Sequence, residues 1–410
     1  KIVGLANDRY YHWDKFRYQP LPDGLTHEDL WTFIRIGRKA YSKAASFQDK
    51  NGEPFTYGMP DSIFKELHEI DLWSGGNITT DQPGQLPPKE QYIISSLMEE
   101  AIASSQLEGA ATTRRVAKDM LRTGRKAENK NEQMILNNWE TMQHIRENQN
   151  FRLTPERLYE IHSLITKETL ENPEEAGQLR KRDDIIVEYK RETVHVPPQS
   201  KALAKRVEAF CHFANTDDEA NWIHPVIKGA MLHFWLAYDH PFTDGNGRTA
   251  RALMYWYLLS RKYAFFEYLS ISRYMLRAPG KYVRAYLYTE TDDNDLTYFI
   301  MYNLRAIRQA IEDLKIYLKR KQAEIQESTK LLQHYRGLNL RQKNLVYHAI
   351  GHPDAVYTIQ MHRSHHGIAY DTARNDLLGL VRKKLLRKDK QGYEFIFLPA
   401  KKLTEHLRSD

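Results

Sequence analysis

The chain has 410 residues, 41% apolar and 28% charged, with one cysteine, Cys211. This composition predicts a globular protein of two or three domains and excludes an internal disulfide. No apolar run has the length of a membrane helix and no secretory leader opens the sequence, so we expect a cytoplasmic protein. The net charge is +7, and the 14 Lys and Arg against 7 Asp and Glu between Tyr335 and Asp410 account for all of it, which suggests a separate C-terminal module.

Apolar periodicity predicts helices along most of the chain. Residues 1–85 are expected to be an irregular, aromatic region with one helical stretch at 27–45, and a Pro/Gly-rich loop at 73–88 closes it. The next part, 86–333, is predicted to be a helical core. Its helices are expected at 89–109, 128–147, 154–169, 201–215, from 225 and at 246–261, with two more between 280 and 333.

Two segments break the helical pattern. The run DIIVEYKRETVHVPP, residues 184–198, has two β-branched stretches around a charged centre and predicts a β-hairpin. Residues 334–410 predict three helices, at 341–351, 358–363 and 369–382, and a hairpin at 385–398. This order predicts a winged helix-turn-helix domain. The fold class is therefore mainly α.

The segment HPFTDGNGRTAR, residues 240–251, has the features of a phosphate-binding loop. Gly245 and Gly247 allow backbone N–H groups to approach a ligand closely. The helix that follows offers unpaired, partly positive N–H groups, which form an anion site. Arg248 and Arg251 lie three residues apart on one helical face and suit phosphate recognition.

Two further side chains of this loop add chemistry. Asp244 is a hard oxygen ligand for Mg²⁺, and His240 could take a proton from a hydroxyl. The parts together predict nucleotide binding with transfer to a hydroxyl. A dinucleotide-binding loop is rejected because a helix and His-Pro, not an apolar strand, precede the glycines. A plain turn between helices is the other alternative, and the coincidence of all these residues disfavours it.

This segment resembles the Fic family signature, His-x-Phe-x-(Asp/Glu)-Gly-Asn-Gly-Arg-x-x-Arg, and matches it at every fixed position. The resemblance covers roughly residues 86–314. It implies a helical core and transfer of AMP from ATP to a Ser, Thr or Tyr hydroxyl of a protein. It implies that His240 is the general base, that Asp244 holds Mg²⁺ and that Phe242 anchors the loop. It also implies that the nucleotide is held by Gly245, Asn246, Gly247, Arg248, Arg251 and Tyr282.

The resemblance extends to a flap and to an inhibitory helix. The 184–198 hairpin stands where the family has the flap that docks the target, here through Val194, His195 and Val196. The run ASSQLEGAATT resembles the family's inhibitory motif, (Ser/Thr)-x-x-x-Glu-(Gly/Asn), with Ser104, Glu108 and Gly109 at the end of a helix at about 95–109. That motif implies that Glu108 pairs with Arg251 and blocks the γ-phosphate. Without that context, Glu108 would be a solvated residue at a helix end.

The C-terminal module is open to two interpretations. Its third helix could be a DNA recognition helix, with Thr372, Arg374, Arg382 and Lys383 as candidate contacts. It could equally be a partner-docking or dimer module with a solvated basic face. A metal site at His362, His365 and His366 is disfavoured because no cysteine or carboxylate cluster accompanies them, and we expect solvated histidines.

The function predicted is a self-inhibited protein adenylyltransferase that uses ATP and Mg²⁺, acts on an unidentified protein target and modifies itself; a homodimer is compatible with this. Two alternatives stay open. One is removal of AMP from a modified protein at the same site, and the other is a DNA- or partner-binding regulator that senses nucleotide without transferring it.

Overall fold

The structure is a computed structural model that describes residues 2–74, 89–335, 337–391 and 394–408. Its contacts divide the chain into two compact units. The first comprises Ile94–Glu312 with the described part of Lys1–Ile78, and the second comprises Asp313–Asp410 with the described part of Thr79–Ile93. The predicted loop at 73–88 lies almost wholly outside the described residues.

Helices dominate the chain up to residue 334, as predicted, and two small hairpins interrupt them. The division between the units falls within the last of these helices. In chain order, the elements are α1 (Ile2–Asp8), α2 (Trp13–Phe16), α3 (His27–Tyr41), β1 (Lys43–Gln48), β2 (Pro54–Tyr57), α4 (Asp61–Ser74), α5 (Lys89–Leu107), α6 (Arg114–Thr123), α7 (Lys130–Glu147), α8 (Pro155–Thr166), β3 (Val187–Tyr189), β4 (Glu192–His195), α9 (Leu203–Asn215), α10 (Pro225–Asp239), α11 (Asn246–Ser260), α12 (Ile271–Arg277), α13 (Pro279–Thr291) and α14 (Thr297–His334).

Local capping fixes the ends of several helices. The Thr154 hydroxyl accepts a hydrogen bond from the Arg157 N–H, and Pro155 occupies the first position of α8, where its missing N–H has no consequence. Thr113 caps α6 in the same way, and Gly124 ends that helix in the left-handed region at φ 66°. α6 itself was not predicted.

The centre of the first unit is the antiparallel pair α10 and α11. Nearly every residue of both helices is buried, which explains why their sequences are apolar on all sides rather than on one stripe. α7, α8 and α9 pack around this pair. The turn between α10 and α11 is the 240–245 loop, so the predicted phosphate-binding segment is held by the most buried part of the unit.

The prediction of one helical stretch at 27–45 is wrong at its C-terminal end. α3 ends at Tyr41, and residues from Lys43 onward form β1, which pairs antiparallel with β2. The cause is tertiary packing. Phe47 of β1 stacks on Trp235 of α10 at a centroid distance of 4.4 Å, and Phe55 of β2 meets Phe234 edge-on.

The predicted hairpin at 184–198 is present as β3 and β4. The strands pair antiparallel, with Tyr189 opposite Glu192. Lys190 and Arg191 form the two-residue turn with φ of 54° and 69°, a turn that matches the twist of the strands.

The second unit has its own apolar core. In chain order its elements are α15 (Leu340–Gly351), β5 (Tyr357–Thr358), α16 (Ile359–His366), α17 (Tyr370–Arg382), β6 (Leu386–Gln391), β7 (Glu394–Pro399) and α18 (Leu403–Arg408). The strands form one antiparallel sheet in the order β5-β7-β6. Within the described residues, no helix is both long and apolar enough to cross a membrane.

Candidate active site

The loop between α10 and α11 begins and ends with a left-handed residue. His240 has φ 45° and Gly245 has φ 81°. The Asn246 side chain clamps the turn, because its Oδ1 accepts from the Phe242 N–H at 2.9 Å and its Nδ2 donates to the Phe242 carbonyl at 2.8 Å. Phe242 is fully buried. Asn246 therefore shapes the loop with its side chain and leaves only its backbone N–H for a ligand.

Two buried residues outside the loop also hold it. His162 of α8 stacks on Phe242 at 3.7 Å, accepts at Nδ1 from the Gly177 N–H at 2.9 Å, and contacts the Asp244 carbonyl through Nε2 at 2.8 Å. Because Nδ1 accepts, Nε2 carries the proton that is donated to Asp244. Burial lowers the pKa of His162 to about 4, so the ring is neutral.

The second is Arg180, whose guanidinium joins the loop to the base of the hairpin. Its Nε donates to the His240 carbonyl at 2.8 Å, and its Nη2 donates to the Pro198 carbonyl. Its Nη1 contacts Asp183 at 3.2 Å. Sequence reasoning missed His162 and Arg180, because a single buried polar residue leaves no periodic signal.

The two signature arginines point to different places. Arg248 is fully buried, donating from Nη1 to the Ile165 carbonyl at 3.1 Å and from Nη2 to Asp244 at 3.4 Å. Arg251 is 3% exposed and donates from Nε to the Ser104 hydroxyl and from Nη2 to the Ser104 carbonyl, both at 2.9 Å. The structure thus brings Arg251, and not Arg248, to the α5 side of the loop.

Glu108 lies just beyond the end of α5 and meets both the loop and Arg251. Its Oε1 accepts from Arg251 Nη2 at 2.9 Å. The same oxygen fills the space beside the Gly247 Cα, where a Cβ would overlap it. Gly109 follows with φ 91° and turns the chain away from the helix axis. Burial alone would lower the pKa of Arg251, but the Glu108 carboxylate and the Tyr282 hydroxyl together outweigh it and raise that pKa.

These groups line one cavity of about 140 Å³. Its walls include Glu108, His240, Gly247, Arg251, Tyr282 and Val194. Burial lowers the pKa of His240 to about 4, although the nearby Glu108 opposes the shift, so the imidazole is neutral at pH 7. A larger cavity of about 630 Å³ elsewhere in this unit contains none of the predicted site residues.

Tyr282 of α13 also lines the cavity. Its hydroxyl contacts His233 Nε2 at 2.8 Å and the Tyr286 hydroxyl at 3.1 Å. Burial raises the pKa of Tyr282. The ring therefore presents an apolar face with a fixed hydroxyl to the cavity.

The three predicted flap residues differ in position. Val194 and His195 both line the cavity. His195 is buried and turns inward, contacting Glu290 at 2.8 Å and the Tyr238 carbonyl at 2.7 Å. Val196 is 45% exposed, and its carbonyl accepts from Lys50 at 3.0 Å. His195 thus anchors the hairpin to α10 and α13, while Val196 faces solvent.

In the second unit, the predicted DNA contacts are spread along α17 and its end. Arg374 and Arg382 are exposed, Thr372 is partly buried, and the Lys383 amine lies 5.3 Å from the centre of the Tyr335 ring.

The expectation of a solvated histidine cluster in this unit is wrong for His362. This side chain is buried and contacts Asp376 at 3.2 Å, and the same carboxylate accepts from Arg341 at 2.8 Å. No group of three or more His, Cys, Asp or Glu side chains suited to a metal occurs among the described residues.

Residues 152–258 match the family model described as Fic/DOC family. This part of the chain is therefore similar to the Fic/DOC family. Curated relatives include "Protein adenylyltransferase Fic" from Nematostella vectensis, 30% identical over 34% of this chain, and the protein of that name from Drosophila grimshawi, 36% identical over 26%. The matches span only 35% and 20% of those two proteins.

Solved structures share the fold. A Fic family protein from Desulfovibrio desulfuricans G20 superposes with a TM-score of 0.57 at 16% identity, over 87% of this chain and 99% of the other. A variant of Fic-1 from C. elegans gives a TM-score of 0.52 at 15% identity, over 78% of this chain and 84% of the other. At these identities the likeness concerns the fold alone, a mainly helical Fic fold with small hairpins.

Proposed function

We propose that this protein is an adenylyltransferase that moves AMP from ATP to a hydroxyl of a protein target. The observation that carries the proposal is the shared cavity, where a neutral histidine, glycine-rich backbone at a helix N-terminus and a buried arginine converge. The names of the curated relatives agree with this activity.

His240 acts as the general base. Its imidazole is neutral at pH 7, so it can accept the proton of a target hydroxyl as that oxygen attacks the α-phosphorus of ATP. The new bond joins the target oxygen to the α-phosphorus, the α–β phosphoanhydride bond breaks, and pyrophosphate leaves. Arg180 positions His240 through the backbone carbonyl of that residue.

The phosphates are bound at the start of α11. The N–H groups of Asn246 and Gly247 and the Arg251 guanidinium supply positive charge there. Arg248 stabilises the loop by donating hydrogen bonds to Asp244 and to the Ile165 carbonyl. Tyr282 and Val194 provide apolar surface for the base.

The donor set also fits Mg²⁺. The Asp244 side chain is 48% exposed at the edge of the loop, and Mg²⁺ that arrives with a nucleotide needs only one or two protein carboxylates. Asp244 would hold the ion, which would neutralise phosphate charge. Gly245 and Arg248 keep that carboxylate in place through hydrogen bonds to Oδ1.

Glu108 restrains the enzyme in this proposal. Its carboxylate neutralises Arg251 and occupies the space at Gly247 that the terminal phosphates need. Ser104 holds the arginine in position for this contact with two hydrogen bonds. Autoinhibition is supported by the fact that one oxygen of Glu108 makes both contacts.

The test uses ATP labelled at the α-phosphate, with Mg²⁺, on the wild type, Glu108→Gly and Glu108→Gly/His240→Ala. We expect label on protein only in the single variant. Label in the double variant would exclude His240 as the base. No label in any variant, with ATP bound, would refute transferase activity and favour the nucleotide-sensing regulator.

A second candidate is removal of AMP from a modified protein. It is favoured by one observation, that Glu108 and His240 line the same cavity, where a carboxylate could position the water that attacks an AMP-protein bond. A pre-AMPylated protein incubated with the wild type tests it. Release of AMP that is lost in Glu108→Gly would establish this activity.

We further propose that residues 334–410 form a winged helix-turn-helix domain and that 1–85 and 86–333 form the other two parts. The order of helix, short strand, two helices and hairpin supports the winged helix. The exposed Arg374 and Arg382 favour DNA as its partner over a protein. A DNA mobility shift that weakens with salt and is lost in Arg374→Ala/Arg382→Ala tests this, and no shift at low salt would refute it.

A further inference from the structure

A second cavity, of about 420 Å³, lies on the face of α13 opposite to the catalytic cavity. The helix presents Tyr282 and Tyr286 to the catalytic cavity, and Lys281, Arg284 and Tyr288 to the second one. The remaining walls come from residues 9–15 and from α12 and α14. The volume is within the range of about 300–1,000 Å³ typical of sites for small molecules.

Five cations line this cavity and no carboxylate does: Arg9, Lys15, Lys281, Arg284 and Arg305. None of the five has an ion-pair partner within the part of the chain that the structure describes. Arg9 donates to the Tyr11 hydroxyl at 3.0 Å, and Arg305 donates weakly to the Arg9 carbonyl at 3.4 Å.

The mutual repulsion of these cations affects the pKa of Lys15. Partial desolvation, and then the charges of Arg305, Arg284 and Lys281, lower its pKa. Like charges held together in this way oppose folding, so the clustering of these charges does not itself stabilise the free protein. An anion bound in the cavity would remove that repulsion.

The floor of the cavity is aromatic and carries an unsatisfied polar group. Tyr302 is 9% exposed, and its hydroxyl is buried without a hydrogen-bond partner among the described residues. Such a group is rare in folded proteins and points to a missing partner. Beside it, His12 and Tyr288 stack at a centroid distance of 4.0 Å.

We propose that this cavity is a second nucleotide site, which holds the phosphates of a nucleoside diphosphate on its cationic rim and the base against its tyrosines. The cations account for the phosphates. The aromatic floor offers a surface on which a nucleobase can pack, and the cavity volume, well above that of a phosphate group, leaves room for it. The inference does not rest on the transferase activity, because binding alone defines it.

The test is calorimetric titration of ADP, without Mg²⁺, into the wild type, Lys281→Ala/Arg284→Ala and Lys201→Ala/Lys205→Ala. The last pair is a matched control, since it removes two exposed lysines that are not part of the cavity lining. We expect Lys281→Ala/Arg284→Ala, the cavity pair, to weaken ADP binding at least about tenfold, because each charge-assisted phosphate contact is strong. The control should change it less than about twofold, beyond the general effect of net charge.

Two further arms separate this site from others. Tyr302→Phe should weaken ADP binding while leaving the melting temperature of the free protein unchanged or higher, since the lost hydroxyl has no partner there. If ADP binding is lost in Arg251→Gln and kept in the cavity pair, ADP occupies the catalytic cavity and the inference is wrong. Pyrophosphate binding as tightly as ADP would also overturn it, because the base would then contribute nothing.

Discussion

Replacing Glu108 by Gln tests the proposed inhibition without removing the shape of the side chain. The carboxylate accepts one charge-assisted hydrogen bond from Arg251 at 2.9 Å. Such bonds contribute about 1.5–3 kcal/mol. Because Glu108 is 29% exposed, solvent screening places the value near the lower end, at about 1.5–2 kcal/mol. Since 1.4 kcal/mol is tenfold, ATP affinity should rise about 10- to 30-fold.

The assay is titration of Mg²⁺-ATP against Glu108→Gln and a matched variant, Glu99→Gln, with the melting temperature of each as a check on folding. Glu99 lies within α5, the helix that ends just before Glu108, and is also ion-paired, but to Arg114 and Lys118. We expect no change in ATP affinity for Glu99→Gln. If a folded Glu108→Gln binds ATP within twofold of the wild type, Glu108 does not compete with the phosphates and the reasoning is refuted.

Three further predictions follow from buried polar groups. In the Glu108→Gly form, the transfer rate should hold steady from pH 8 to pH 6, because His240 stays neutral down to a pKa of about 4 and losing Glu108 lowers that pKa further; a rate that halves near pH 6.5 would contradict this. The free energy of unfolding should fall as pH drops from 6.5 towards 4, because His162 is protonated in the unfolded state before it is protonated in the folded state. The loss due to this residue should be about 3 kcal/mol at pH 4. In urea unfolding, the free energy of His162→Gln should depend less steeply on pH than that of the wild type, and an equal dependence would count against the neutral ring. Arg180→Met removes the side-chain donor of the His240 and Pro198 carbonyls, so the melting temperature should drop by an amount equivalent to about 2–3 kcal/mol, and the transfer rate should fall at least about tenfold. A wild-type transfer rate in this variant would show that the carbonyl of His240 needs no support.

The features that could be predicted from the sequence are those set by residues close together in the chain. Helix periodicity located α10 and α11, and spacing placed His240, Gly247 and Arg251 in one predicted phosphate-binding segment, 240–251, because these features are local in the chain. The contact between Glu108 and Arg251 joins residues 143 positions apart, and it was expected only through the family resemblance.

What escaped prediction depends on distant packing. β1 and β2 form because Phe47 and Phe55 pack on α10, and no local pattern encodes that partner. The turn of Arg248 away from the cavity follows from the position of Ile165 on α8. A separation of three residues on α11 therefore did not give Arg248 and Arg251 the same surroundings.

The position of Glu108 beyond the end of α5 has a consequence for how the proposed transferase would respond to ATP. Because no helical hydrogen bond has to break, rotation of one side chain is enough to clear Gly247, while Ser104 keeps Arg251 in place. At a preference of about 2 kcal/mol, roughly one molecule in thirty is open at any instant. Because the Glu108 side chain competes with ATP at this strength, the basal transfer rate would rise in proportion to the ATP concentration. The inhibition would therefore be graded and not all-or-none.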